Sequence, residues 1–230
     1  VSLPENTEVA VEIPVEDVTA GTVAVLVDKN GTETIIKTTV STENGILVKL
    51  ADGGTIKVVE NSKEFDDVPE SYWGYEAVQF ASSRELFAGT GDAVFSPDAP
   101  MTRAMVWTVL ARLDGINTAG EIWYAAGQQW AMEHGISDGT NPNAEVTREQ
   151  MAAMLYRYAL LKEYDTAEKA DLAGYADAAS ISDYAVEAMA WANAKKVING
   201  VTTTTLEPQM DAARAQVAQM LKSFCENVVK

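Results

Sequence analysis

The sequence predicts an α+β chain, with a small all-β segment followed by an α-helical domain of three helix-loop-helix repeats. Three observations carry this. The apolar pattern has period two up to about Ser62 and a helical period after Glu64. Ala, Met and aromatic residues replace β-branched ones at the same point. One constellation of residues then recurs three times before the end of the chain. Residues 1–62 are accordingly read as a β-rich linker or the end of a larger β domain, and 63–116, 117–164 and 165–230 as repeats one, two and three.

In the first region, Val-, Thr- and Ile-rich alternation predicts strands over 8–13, 22–27, 32–38, 46–50 and 55–59. Asp28-Lys29-Asn30-Gly31 and Asp52-Gly53-Gly54 supply the turns, because Asn and Gly accept positive φ. Ten acids against four bases and no clustered chemistry make this segment a spacer that packs on the next domain or on sequence upstream.

The repeats superpose on Phe80, Trp130 and Trp191. Seven residues earlier stand Trp73, Trp123 and Tyr184; three earlier, Ala77, Gly127 and Ala188; one later, Ala81, Ala131 and Ala192; six later, Leu86, Ile136 and Val197. Such spacings mark one helix face. Gly89, Gly139 and Gly200 follow nine residues after each origin, where glycine can end a helix in the left-handed conformation. Pro97, Pro142 and Pro208 each precede an arginine by six: Arg103, Arg148 and Arg214. Apolar residues three, six and seven positions after each arginine predict a second amphipathic helix. From glycine to proline the loop takes eight steps in copies one and three but three in copy two.

Thr102 and Thr147 are N-caps, with Gln150 completing a capping box, so the arginines open their helices. A cation there opposes the macrodipole, which already places positive charge at the N-terminus. An anion docked at the helix start, taking backbone N–H bonds and a guanidinium fork together, would account for three such placements. The alternative stays open that each arginine pairs with a carboxylate of a neighbouring repeat and only locks the repeats together.

Composition narrows the function class. A chain of 230 residues that is 47% apolar can bury a core. A net charge of −17 excludes nucleic acid and anionic membrane as partners, since both want a basic face. No apolar run is long enough to span a membrane. The absence of an initiator Met and of a signal-like start is read as a trimmed fragment. Cys225 sits in an apolar helical pattern and His134 at a helix end, so one Cys and one His provide neither a zinc cluster nor Ser-His or Cys-His machinery. Residues 137–141 lack the later Glu of a calcium loop, and Gly89-Thr90-Gly91-Asp92 lacks the Lys of a phosphate-binding loop. The expectation is no metal, no cofactor and no catalysis.

Phe65-Asp66-Asp67-Val68, Trp73, Ala77-Val78, Gly89, Phe95-Ser96-Pro97 and Thr102-Arg103-Ala104, recurring in order, resemble the surface-layer homology (SLH) repeat. Residues 65–228 resemble the usual triplet. The resemblance implies a compact pseudo-threefold prism of helices with grooves between neighbouring repeats, holding an extracellular protein to the cell wall or S-layer of a Gram-positive-type bacterium. It implies an anionic secondary cell-wall polysaccharide as partner, often one carrying pyruvate-ketal amino sugars. Family roles then fall on Arg103, Arg148 and Arg214 for the acidic group, on Asp67 and Asp177, on Trp73 and Trp123, and on the loop glycines Gly89 and Gly139. Asp67 is expected to orient hydroxyls or the guanidinium. The family's glutamate two residues after the arginine is replaced by Met105, Gln150 and Gln216, and Ala213 stands where copy three would have its threonine. Trp73 and Trp123 also fit core packing at helical spacing, and Trp107, one turn after Arg103, fits either packing or a groove wall. A helical-repeat scaffold for protein interaction, or the tail of a surface hydrolase with its catalytic domain upstream, are the other readings.

Overall fold

The computed structural model describes residues 8–50 and 54–230, and the chain forms two compact units, Val1–Ser96 with Val229–Lys230, and Pro97–Val228. The first repeat is thus divided between them.

In the first unit six strands form two antiparallel three-stranded sheets. One has the order β1-β5-β4 (Val9–Pro14, Gly45–Leu50, Val40–Ser41), and the other β3-β2-β6 (Glu33–Ile35, Thr22–Val27, Thr55–Glu60). Period-two alternation fixes register: Val9 pairs with Leu50 and Thr22 with Glu60. Ala24, Ile46 and Val48 form the small core, with Ile13, Val15, Val18, Ile36, Leu50 and Ile56 packed on it. The turn at 28–31 closes as expected, with Gly31 at φ +84 and Asp28 N–H donating to Thr32 O at 3.0 Å. The expected turn at 52–54 falls largely outside the described residues. The strand expected over 32–38 is shorter, because after Ile35 the chain turns, Thr39 N–H donating to Ile36 O.

Helix α1 (Tyr75–Ser83) belongs to this unit. It is joined to the strands by Arg84, which is fully buried and donates to Thr39 O, Ala20 O and Thr22 O, with its guanidinium 3.7 Å from the centroid of the Phe80 ring. Sequence pattern gave no hint of this role, because a single arginine after a helix reads as a solvated end.

The second unit holds α2 (Arg103–Leu113), α3 (Ala125–Glu133), α4 (Arg148–Leu161), α5 (Val186–Ala194) and α6 (Arg214–Phe224). Three short segments leading into α2, α4 and α6 close a ring of backbone hydrogen bonds. Met101 N–H donates to Ala212 O, Ala212 N–H to Val146 O, and Val146 N–H to Met101 O, each at 2.9 Å. The repeat origins Trp130 and Trp191 are buried, as are the apolar positions three, six and seven after each arginine. Gly127 is required by packing, since a Cβ there would lie 2.8 Å from the Thr108 backbone of α2.

Two expectations are corrected. Residues Gly89, Gly139 and Gly200 do not end helices. The left-handed residue after α1, α3 and α5 is Glu85, Gly135 or Lys196, five after each origin, because those helices stop three residues past it. The glycines instead admit close backbone: a Cβ on Gly89 would lie 2.8 Å from Val94 O and one on Gly200 2.2 Å from Thr202 O, while Gly139 has φ +71. Nor do Trp73, Trp123 and Tyr184 share the buried face. Each precedes the first residue of its helix by two, so helical periodicity does not reach it. All three are exposed, Trp73 at 61% and Trp123 at 49%.

Candidate functional site in the inter-repeat grooves

The threonine caps form as expected, Thr102 Oγ1 accepting from Met105 N–H and Thr147 Oγ1 from Gln150 N–H, with Gln150 Oε1 accepting from Thr147 N–H. In copy three Gln216 Oε1 still accepts from Ala213 N–H at 3.3 Å, although Ala213 cannot cap.

The helix starts are not open anion sites. Arg103, Arg148 and Arg214 donate their backbone N–H to Ala144 O, Met210 O and Ala99 O, and the next residues, Ala104, Glu149 and Ala215, donate to Pro142 O, Pro208 O and Pro97 O, all at 2.9–3.0 Å. Those donors are consumed by backbone carbonyls of another copy, so the expected partnership of helix amides with an external anion is corrected. Any contact that these residues make with a ligand falls to their side chains.

Each of the first two arginines is held by the loop of the following copy. Arg103 donates from Nε to Thr140 O (2.8 Å) and from Nη2 to Ser137 Oγ (2.9 Å), and pairs with Asp138. Arg148 donates from Nε to Leu206 O (2.9 Å) and from Nη2 to Asn199 O (2.7 Å). The short loop of copy two therefore faces Arg103, while Arg148 faces the longer loop of copy three. Accordingly Arg103 is partly exposed, whereas Arg148 is buried. Among the described residues neither Nη1 group has a hydrogen-bond partner. Arg214 is likewise buried.

Burial pulls the Arg148 pKa below its ordinary value, with Glu207 and Asp177 opposing it. Asp138 sits below the usual carboxylate range because it accepts Thr140 N–H and Oγ1–H, and Arg103 is beside it.

Asp67 and Asp177 occupy matching places. Asp67 accepts Phe95 N–H (2.9 Å) and Ser96 N–H (2.7 Å); Asp177 accepts Leu206 N–H (2.9 Å) and Glu207 N–H (2.7 Å). In both, the second amide belongs to a residue of positive φ just before the proline, which the carboxylate helps hold. Asn141 has the same conformation in copy two. Through Leu206, Asp177 positions the carbonyl that holds Arg148.

Trp107 is fully buried, 5.4 Å from the Arg103 guanidinium, and its Nε1 is the one buried side-chain donor without a partner among the described residues. Glu149, missed by sequence reasoning, is buried and accepts Ser182 N–H, Ser182 Oγ–H and Tyr184 Oη–H, clamping copy three to copy two. Burial alone would raise its pKa, but these bonds hold it below the usual range. The Tyr184 hydroxyl is pushed up to about 12 by burial and by Glu149. The signal for Glu149 was a carboxylate next to Arg148 at a position that the other copies fill with Ala104 and Ala215.

Residues 64–104 and 174–218 match the S-layer homology domain family. The short-looped second copy lies between the matched segments. The chain is 29% identical over 192 residues to an endoglucanase of Bacillus sp. (strain KSM-635), covering 78% of this chain and 20% of that protein. It is 30% identical over 182 residues to an amylopullulanase of Thermoanaerobacterium thermosulfurigenes (73% and 10%), and 24% identical over 199 residues to an S-layer protein of Bacillus thuringiensis subsp. finitimus (75% and 23%). The chain spans between a tenth and a quarter of the length of these relatives.

Proposed function

We propose that this chain, which carries S-layer homology domains at residues 64–104 and 174–218, is a non-catalytic module that holds a surface protein to the bacterial cell wall without a covalent bond. One observation carries the reading. Relatives named as an endoglucanase, an amylopullulanase and an S-layer protein have in common with this chain only a minor part of their length. A stretch common to proteins whose names give different roles is not the seat of any one of those activities. The location is extracellular, in the cell wall or S-layer, and the remainder of the longer protein, an enzyme or an S-layer protein, is the cargo.

The partner is an anionic wall glycan, with pyruvate-ketal sugars as the acidic group, bound in grooves between copies. Arg103 and Arg148 each keep an Nη1 group for it, and Arg214, at the matching place in copy three, is the third arginine of the set. Exposed Trp73 and Trp123 stack on sugar faces, while Asp67, Asp177, Gly89 and Gly139 shape the loops. The ring through Met101, Val146 and Ala212 supports a threefold arrangement of α2, α4 and α6. Among the described residues no helix is long and apolar enough to cross a membrane.

For Arg148 a second reading has its own support: its burial and carbonyl bonds suit an inter-repeat lock. The test is co-sedimentation with purified walls before and after extraction of the wall polymer. Binding that disappears with the polymer, and falls in Arg103→Gln without loss of thermal stability, is the expected result; binding indifferent to extraction defeats the reading.

A further inference from the structure

The loop of copy two that holds Arg103 also holds a second guanidinium. Arg157, nine residues after Arg148 on α4, is exposed and donates from Nη1 to Ile136 O at 3.0 Å. Arg103, arriving on α2, donates to Ser137 Oγ at 2.9 Å. Two arginines from successive copies are therefore tied to adjacent residues of one loop. Both positive charges also act on Tyr184, where each opposes the rise of its pKa.

Twice as many acids as bases are available in this chain, 34 against 17, yet among the described residues Arg157 has no carboxylate within ion-pair distance. Like charges gathered at one site repel each other and raise the local positive potential, a cost that a bound anion offsets. At the matching position the first copy has Arg112, bonded to Thr118 Oγ1, and the third has Ser223, so the pairing arises from where the loop of copy two lies.

We infer that Arg157 is a second anion-contacting residue, and that a carboxylate-bearing sugar binds between Arg103 and Arg157. The inference rests on the glycan reading. A carboxylate that projects from a sugar ring offers two oxygens, one for each guanidinium, whereas a single arginine would serve it only from one side.

Calorimetric titration of the full chain with purified wall polymer tests this, alongside the same polymer stripped of its acidic ketals by mild acid. On acidic polymer Arg157→Gln is expected to bind roughly tenfold more weakly than the parent, and Arg157→Lys to keep most of the affinity. On stripped polymer parent and Arg157→Gln should bind alike. Thermal melts of both variants, matching the parent, establish that they are folded. Equal affinity of parent and Arg157→Gln for acidic polymer overturns the inference and leaves the glycan reading standing. A deficit that persists on stripped polymer also overturns it, since the residue would not be acting through the acid. Absence of parent binding to either polymer removes the glycan reading and this inference with it.

Discussion

Arg103 and Arg148 open equivalent helices, yet the first is reachable and the second covered. Arg103 meets the short loop of copy two, residues 136–142, has Trp107 beside it, shares that loop with Arg157 and pairs with an exposed acid. Arg148 meets the long loop of copy three, which Asp177 fastens by two amides, and its bonds go to the carbonyls of buried Leu206 and of Asn199. The same residue at the same place in a repeat can be a recognition group or a strut, depending on the length of the loop that the next copy brings to it. The five residues that copy two lacks leave Arg103 partly exposed, where the longer loop of copy three covers Arg148.

Substitution of the two arginines gives the largest contrast. Arg148→Ala should cost about 2–4 kcal/mol, because it leaves a space and two carbonyls unpaired, whereas Arg103→Ala should cost about 1 kcal/mol or less. Urea unfolding measures both, and equal losses would erase the distinction between them. Next comes the clamp that ties copy three to copy two beside Arg148. Glu149→Gln should cost about 1–2 kcal/mol at neutral pH. Its folded pKa is depressed, so the stability it contributes is present above the ordinary value of 4.5 and is lost as pH falls through the lower folded value. Melts from pH 7 to pH 3 should therefore show parent and variant converging on the acid side.

Lengthening loop 139–142 to match 200–208 should bury Arg103 and weaken polymer binding while changing stability by only about 0.7 kcal/mol. Undiminished binding would mean that loop length does not govern access. The smallest effect belongs to the two bridges that lead into α2 and α4, where Thr102 pairs with Glu145 and Thr147 with Asp211. Glu145 has a raised pKa because Asp211 bonds and repels it. A carboxyl raised in the folded state weakens the fold above that pKa and is relieved as pH falls through it. Glu145→Gln should accordingly raise the melting temperature slightly at pH 7, with the gain vanishing in acid.

Much of the fold was legible because apolar spacing reports burial directly. Phe80, Trp130 and Trp191, and the triplets after each arginine, are buried where periodicity puts them, and β2 runs from Thr22 to Val27 as read. Periodicity failed at Trp73, Trp123 and Tyr184, because spacing alone does not say where a helix begins. The carbonyl partners of Arg103 and Arg148 were hidden for another reason. Backbone acceptors leave no residue type to recognise, and the carbonyls concerned lie 37 to 58 positions away. Glu149 and Arg157 were passed over since each occurs in only one copy as a functional pair, and a search for repetition discards what does not repeat.

The ring joining Met101, Val146 and Ala212 has a consequence for assembly. Its members are far apart along the chain, and Ala212 takes part in two of the three bonds, so a ribosome must deliver nearly the whole sequence before the circle can shut. A polypeptide stopped after the second copy would keep one link out of three and leave Met101 N–H and Val146 O without their mates. Shortened versions with one or two copies should consequently be poor folders, and natural variation should act by remodelling loops around an intact circle.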